Sequence, residues 1–190
     1  MAGFWSPFQG AAQQKRRAAS LYRGLMSAAL APEAYVAGIV ADDLDHRVQM
    51  VSLHAAILVW QLTRRPERPL NRLPQHIHTR VFDGFDASLR ETGVGDASIA
   101  RKVRKMGEHY YGLGQATAAC LSGPESERIS ALSDMLKRNG VTMPGQEAEL
   151  AGHIAALADM FEAAPSEVFL DGQAPWTTFP ATNTRGVAKV

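Results

Sequence analysis

The segment from Leu89 to Gly112, LRETGVGDASIARKVRKMGEHYYG, sets a turn directly ahead of a long amphipathic stretch, an order that demands a helix, a sharp reversal and a new helix. Gly93 stands where a helix ending near Thr92 needs a residue tolerant of positive φ, and Asp96 stands where a side-chain oxygen caps the helix that follows. Beyond it Ile99, Val103, Met106, Tyr110 and Leu113 recur at steps of four, three, four and three, the spacing of one buried stripe. Arg101, Arg104, Lys105 and Glu108 fall away from that stripe and Lys102 flanks it, so the exposed face is basic. Gly107, Gly112 and Gly114 each cost about 1 kcal/mol against alanine inside a helix. Their density implies either a helix end or a close approach by another backbone, read here as close packing at Gly107 and a bend or an end near Gly112.

The same periodicity covers most of the chain. Ala11 to Leu30 reads as a helix with Leu21, Leu25 and Ala28 on one side, and Pro32 suits the first turn of a short helix reaching about Val40. Asp42 to Leu62 carries two apolar stripes, Leu44, Val48, Val51, Ala55, Leu58 and Leu62 on one and Met50, Leu53, Ile57 and Trp60 on the other. A helix apolar nearly all round belongs in the middle of a bundle. Thr63 to Pro74, with three prolines and four arginines, is too broken for regular structure. Helices follow from about Gln75 to Thr92, with Ile77, Val81, Phe85 and Leu89 inward, and after Gly123-Pro124, with Ile129, Leu132, Met135 and Leu136 closed by Asn139-Gly140. Gly84 hints at tight packing or at local weakness. Leu150, Ile154, Leu157 and Phe161 mark the last long helix, ending before Pro165. No stretch alternates with period two, so the expected fold is all-α, one domain of about six or seven helices.

With 190 residues, 46% apolar and 21% charged, the chain holds enough apolar surface for a sizeable core. The expected organisation is an aromatic N-terminal tail over 1–10, a helical domain over 11–170 and an irregular tail over 171–190, in which Pro175, Trp176, Phe179 and Pro180 show no helical period. That tail either lies across the surface or stays mobile. The net charge of +1 conceals a gradient: residues 1–120 carry 15 Lys and Arg against 10 Asp and Glu, whereas 121–190 carry 5 against 9. One end could face a polyanion, or the halves simply attract each other.

Chemistry finds little support. The single Cys120 excludes a disulfide framework and a cysteine-based metal cluster, and reads as a small core residue. A di-iron bundle needs two Glu-x-x-His pairs, and here only Asp43-x-x-His46 has that form, with Glu149 and His153 four apart. His54 reads as a core histidine, and His76 and His78 fall on different faces. Phosphate-binding loops, a nucleophile elbow and a dinucleotide fingerprint are absent from the sequence. The expectation is a protein without catalytic residues, metal or cofactor, with a small helical enzyme or cofactor carrier as the alternative.

Lys15-Arg16-Arg17 followed by Ala18 to Ala31 has the outline of a signal segment, but Arg23 interrupts its apolar part. The longest apolar run, Val51 to Leu62, falls short of the ~20 residues that span a bilayer. The chain is therefore read as cytoplasmic, with contact at the inner membrane as a peripheral protein. Phe4, Trp5 and Phe8 ahead of Lys15, Arg16 and Arg17 suit an interfacial anchor, in which rings insert and cations meet anionic headgroups. Equally, the rings could cover the bundle.

LRETGVGD and KVRKMGEHYYG, with the preceding RVQMVSLHAAILVWQL and RVFDGFDASLRE, resemble the ubiquinol-cytochrome c chaperone family in order, over about Ala34 to Leu136. The chain departs from the family's habit in the polar and small members of LHAAIL and in the continuation YYGLGQA. The resemblance implies a factor for assembly of the respiratory bc1 complex. Mitochondrial members of such a family work with a small partner protein near the ribosomal exit tunnel and hold newly made cytochrome b until haem and later subunits arrive. It further implies a hydrophobic client, contact with the ribosome or the membrane surface, and no DNA. On that basis Arg101, Lys102, Arg104 and Lys105 are candidates to meet an anionic surface, either ribosomal RNA or lipid headgroups. Trp60, Phe82, Phe85, Tyr110 and Tyr111 are candidates to line a client groove, the competing reading being that all five are core.

Overall fold

The structure, a computed structural model, describes residues 7–91 and 96–180, with side chains over 10–91 and 98–180. Six helices of eleven residues or more build the bundle: α1 Pro7–Ala29, α3 Leu44–Arg64, α5 Leu73–Glu91, α6 Asp96–Ser122, α7 Arg128–Arg138 and α8 Glu147–Ala163. Three short ones join them, α2 Glu33–Val36, α4 Arg68–Asn71 and α9 Ser166–Leu170, and a 3-10 turn at Glu125–Glu127 leads into α7. The described residues contain no strand, as the absence of period-two alternation requires.

α3 is the axis. Asp43 caps it, accepting from the His46 amide, and every residue from Val51 to Leu58 is buried. α1, α5, α6 and α8 all pack against it, which is what a helix with two apolar stripes needs. At its far end Arg65, held extended ahead of Pro66, donates from Nη2 to the carbonyls of Phe161 at 2.9 Å and Ala164 at 2.6 Å, meeting groups that the end of α8 leaves without helical partners.

α1 lies on α5 through Ala18, Leu21, Leu25 and Ala29, all buried. Gly84 is the close contact that its position suggested, since a Cβ there would stand 2.6 Å from the Tyr22 hydroxyl oxygen. The proline-rich connection is more ordered than its composition implies. Leu70 is fully buried and anchors α4, and α5 begins at Leu73 with Pro74 in its first turn, where a missing N–H leaves no bond unmade.

α6 departs from expectation at its second half: it continues without ending at Gly112 and runs to Ser122. Leu113, Thr117 and Leu121 extend the buried stripe along α3, and packing of that stripe outweighs the weak propensity of the glycines. Residues 92–95, where a turn is expected, and the side chain of Asp96, expected to cap α6, lie outside the described residues. α7 and α8 pair through Leu132, Met135, Leu136, Leu150, Ile154, Leu157 and Phe161, each 0% exposed, while Ile129 in the first turn of α7 stays half exposed.

Of the two readings of the C-terminal segment, residues 172–180 take the first. Gly172, at φ +76°, turns the chain over α1, where a Cβ would stand 3.3 Å from the Arg17 carbonyl oxygen. The Trp176 ring then meets Phe161 at 4.7 Å and His54 at 5.6 Å, and Phe179 meets His153 at 5.0 Å. Nine residues without helical period thus form a strap across α1, α3 and α8.

Candidate functional site

Four of the five candidate client-binding rings come together where α5 lies on α6. Phe82 is 5.6 Å from Tyr110, 5.7 Å from Tyr111 and 6.0 Å from Phe85, and Tyr110 and Tyr111 are 5.2 Å apart. Gly107 makes the approach possible, because a Cβ there would stand 2.7 Å from Phe82 Cε1. Phe85 and Tyr110 are 5% and 3% exposed and belong to the core, Phe82 is half-buried, and Tyr111 is 48% exposed. Trp60 sits apart on α3, with its Nε1–H donating to Ser122 Oγ at 2.9 Å and the Arg64 guanidinium over its ring at 4.6 Å.

Between these two groups lies an open, mostly apolar groove of about 260 Å³. Its α3 wall is Ser52, Ala55, Ala56, Val59, Trp60 and Thr63, one face at steps of three and four. Its α6 wall is Tyr110, Tyr111, Gly114, Gln115 and Ala118, and His78 of α5 lines it as well. The groove owes its depth to small side chains: Ala55, Ala56, Gly114 and Ala118 leave room where leucines would close the seam. Eleven residues separate Ser52 from Thr63, so at 1.5 Å per residue the wall is roughly 16 Å long.

His78 is the residue that sequence reasoning missed. Its Nδ1 lies 2.7 Å from the Tyr110 hydroxyl, and its ring is 5.6 Å from both tyrosine rings. Burial pushes the Tyr110 phenol well above its ordinary value, with Tyr111 adding to the shift, and burial pulls the His78 imidazole below its own. Both groups are neutral at pH 7. The only sequence signal was a histidine near a helix start, and its partner is thirty-two residues away on another helix.

The basic candidates Arg101, Lys102, Arg104 and Lys105 are all exposed on α6, with Arg104 facing Glu108 at 3.7 Å one turn on. Lys102 and Lys105 also edge a second cleft, of about 340 Å³, whose floor includes Val48, Leu89 and Met106. Phe4, Trp5 and the side chain of Phe8 lie outside the described residues. Lys15 and Arg16 are exposed on α1, and Arg17 is half-buried beside the strap.

The histidines weighed as ligands have other roles. Asp43 and His46 form the cap of α3, with His46 Nδ1 at 2.8 Å from the carboxylate. His54 donates from Nδ1 to the Met50 carbonyl at 2.8 Å, as a core histidine does. Among the described residues no three His, Cys, Asp or Glu side chains gather closely enough to share a metal ion, and no helix is long and apolar enough to cross a membrane.

The all-α bundle is a fold seen in a solved structure, and the class of protein is given by the family model. The crystal structure of the Cbp3 homolog from Brucella abortus has the same fold, with a TM-score of 0.76 over 90% of this chain and 94% of that one at 23% identity. The model of the ubiquinol-cytochrome C chaperone family matches residues 37–179, and the chain belongs to that family. No curated protein matches the chain. The family match runs past the 34–136 legible in the sequence, through α8 and α9 to Phe179 of the strap. Membership brings a coarse role, that of a bc1-complex assembly chaperone in a generally non-enzymatic family.

Proposed function

We propose that the chain holds a hydrophobic segment of a bc1 subunit, cytochrome b or one like it, in the groove between Trp60 and Tyr111 until assembly takes it over. The observation that carries this reading is the groove itself: about 260 Å³, mostly apolar, floored by alanine and glycine, and flanked by one exposed tyrosine. An apolar helix laid against small side chains can approach the α3–α6 seam closely, and aromatic rings at its flanks supply contact area. The exposed Arg101, Lys102, Arg104 and Lys105 would hold the protein at an anionic surface, ribosomal or lipid, with Phe4, Trp5, Phe8, Lys15, Arg16 and Arg17 as a second membrane contact. A small partner subunit fits the same scheme. The protein would work at the cytoplasmic face of the inner membrane without turnover.

Photocrosslinking from a benzophenone amino acid at Gln115 or Ala118, in the native cells, tests the client. The expected result is adducts identified as cytochrome b at the groove positions and none from Ile129, which lies outside the groove. Adducts with other proteins only, or equal cytochrome b adducts from Ile129, would sink the reading.

A further inference from the structure

The groove carries one polar group whose state can be worked out atom by atom. Tyr110 is 3% exposed, and its hydroxyl has no other partner than His78 Nδ1 among the described residues. If Nδ1 carried the proton, the phenol hydrogen would be left in the core without an acceptor, at the cost of an unmade buried hydrogen bond. The pair therefore takes one arrangement: the Tyr110 O–H donates, Nδ1 accepts, and the His78 proton sits on Nε2. His78 lines the groove, and Nε2–H has no partner among the described residues. The other lining is mostly apolar.

We infer that His78, fixed in its Nε2–H form by Tyr110, is a specificity-determining donor, and that the groove selects an apolar helix presenting one hydrogen-bond acceptor opposite it. This rests on the proposed function and names the kind of client segment that function needs. The occupant follows from complementarity. A wall roughly 16 Å long accepts about three helical turns, and the small floor of Ala55, Ala56 and Gly114 accepts a close apolar face. The Ser52 and Thr63 hydroxyls and the Trp60 N–H already donate to Val48, Trp60 and Ser122, and Tyr111 and Gln115 are exposed to water, so His78 is the donor that an apolar helix would cover and an acceptor opposite it would answer. A purely apolar helix would cover Nε2–H without answering it. An anionic acceptor is not required, because His78 is neutral.

The probes are two 20-residue Leu/Ala helices flanked by lysines and labelled with fluorescein, identical except for Thr or Val at the central position, titrated in mild detergent against the full-length protein. The expected result is that the Thr peptide binds about three- to tenfold more tightly than the Val peptide. His78→Phe should bring the two affinities together while the Val peptide still binds. Tyr110→Phe should do the same in part, because Nδ1 and Nε2 then share the proton, and ¹⁵N chemical shifts of the His78 ring should report the change from one tautomer to a mixture. Equal binding of the two peptides to the wild-type protein, or a wild-type His78 ring protonated on Nδ1, would overturn the inference and leave the groove reading standing. Binding of neither peptide would overturn the groove reading and this inference with it. Self-association that neither peptide disrupts would assign the groove to a second copy of the chain, with the same consequence.

Discussion

His54 couples burial to titration in the middle of α3. It is 1% exposed, and burial lowers its pKa from 6.5 to about 4, with the charge that His153 would carry adding a smaller push the same way. The unfolded chain takes up this proton near pH 6.5 and the folded one only near 4, so between those values the unfolded state binds more protons and stability rises with pH. The contribution is complete above about pH 6.5 and is lost as the pH falls to about 4, a change on the order of 3 kcal/mol for a shift of that size. His153 and His78, also lowered by burial, act in the same direction. Urea unfolding at pH 7.5 and pH 5 should show the wild type weaker at pH 5, and His54→Leu should flatten most of that difference; an unchanged slope would discard His54 as its source. Its core placement was legible because the helix around it is apolar on every side and its acceptor, Met50, lies one turn back. The contacts of His54 with Trp176 and of His78 with Tyr110 were not legible, since nothing local marks a partner on a distant segment.

At the scale of the element, α6 shows how one residue type serves opposite ends. Gly107 lies under the Phe82 ring, which is hemmed in by Phe85, Tyr110 and Tyr111, whereas Gly112 is exposed, and a methyl group added there would meet nothing within 4 Å. Gly107→Ala should therefore destabilise the protein by about 1–2 kcal/mol despite better helix propensity, as overpacking does. Gly112→Ala should stabilise it by up to about 1 kcal/mol. Urea midpoints of the two variants should move in opposite directions, and movement in the same direction would contradict the packing described at Gly107. Gly107 does mark close packing, whereas the helix does not end at Gly112, because a helix end is decided by what packs beyond it, here Leu113, Thr117 and Leu121. On the opposite face, exchanging Arg101, Lys102, Arg104 and Lys105 for Gln should lower binding to phosphatidylglycerol vesicles by more than about tenfold at low salt, each cation near such a surface being worth about 1 kcal/mol. Thermal stability should hardly change, since the Arg104–Glu108 pair is exposed and worth little. Undiminished co-sedimentation with the vesicles would remove this face from the proposal.

For the whole molecule, the long helices were legible from their period, while the groove was legible only in part: of the five candidate rings Trp60, Tyr110 and Tyr111 line it, but its small floor lies between three helices in a space that no single stripe encodes. The short helices α4 and α9 and the strap escaped for a related reason: four or five residues cannot show a period, and the strap follows none. α2 was signalled by Pro32, although it ends at Val36 and does not reach Val40. Yet the strap closes the bundle. Trp176 stands with its indole edge in the space above Gly24, where a Cβ would lie 2.9 Å from Nε1, and its ring is set edge-on to Phe161 and over His54. Trp176→Ala removes a large ring that is only partly buried, so the expected loss is about 2–4 kcal/mol, below the full cost of a core aromatic. The same change should admit water to His54, raise its folded-state pKa toward 6.5 and shrink the pH dependence of stability between pH 7.5 and pH 5. Peptide binding in the groove should persist, because Trp176 is not among the residues that line it. A variant that loses stability but keeps the wild-type pH slope would mean that α1, α3 and α8 keep His54 dry without the strap, and the strap would then be a brace for the bundle and no more.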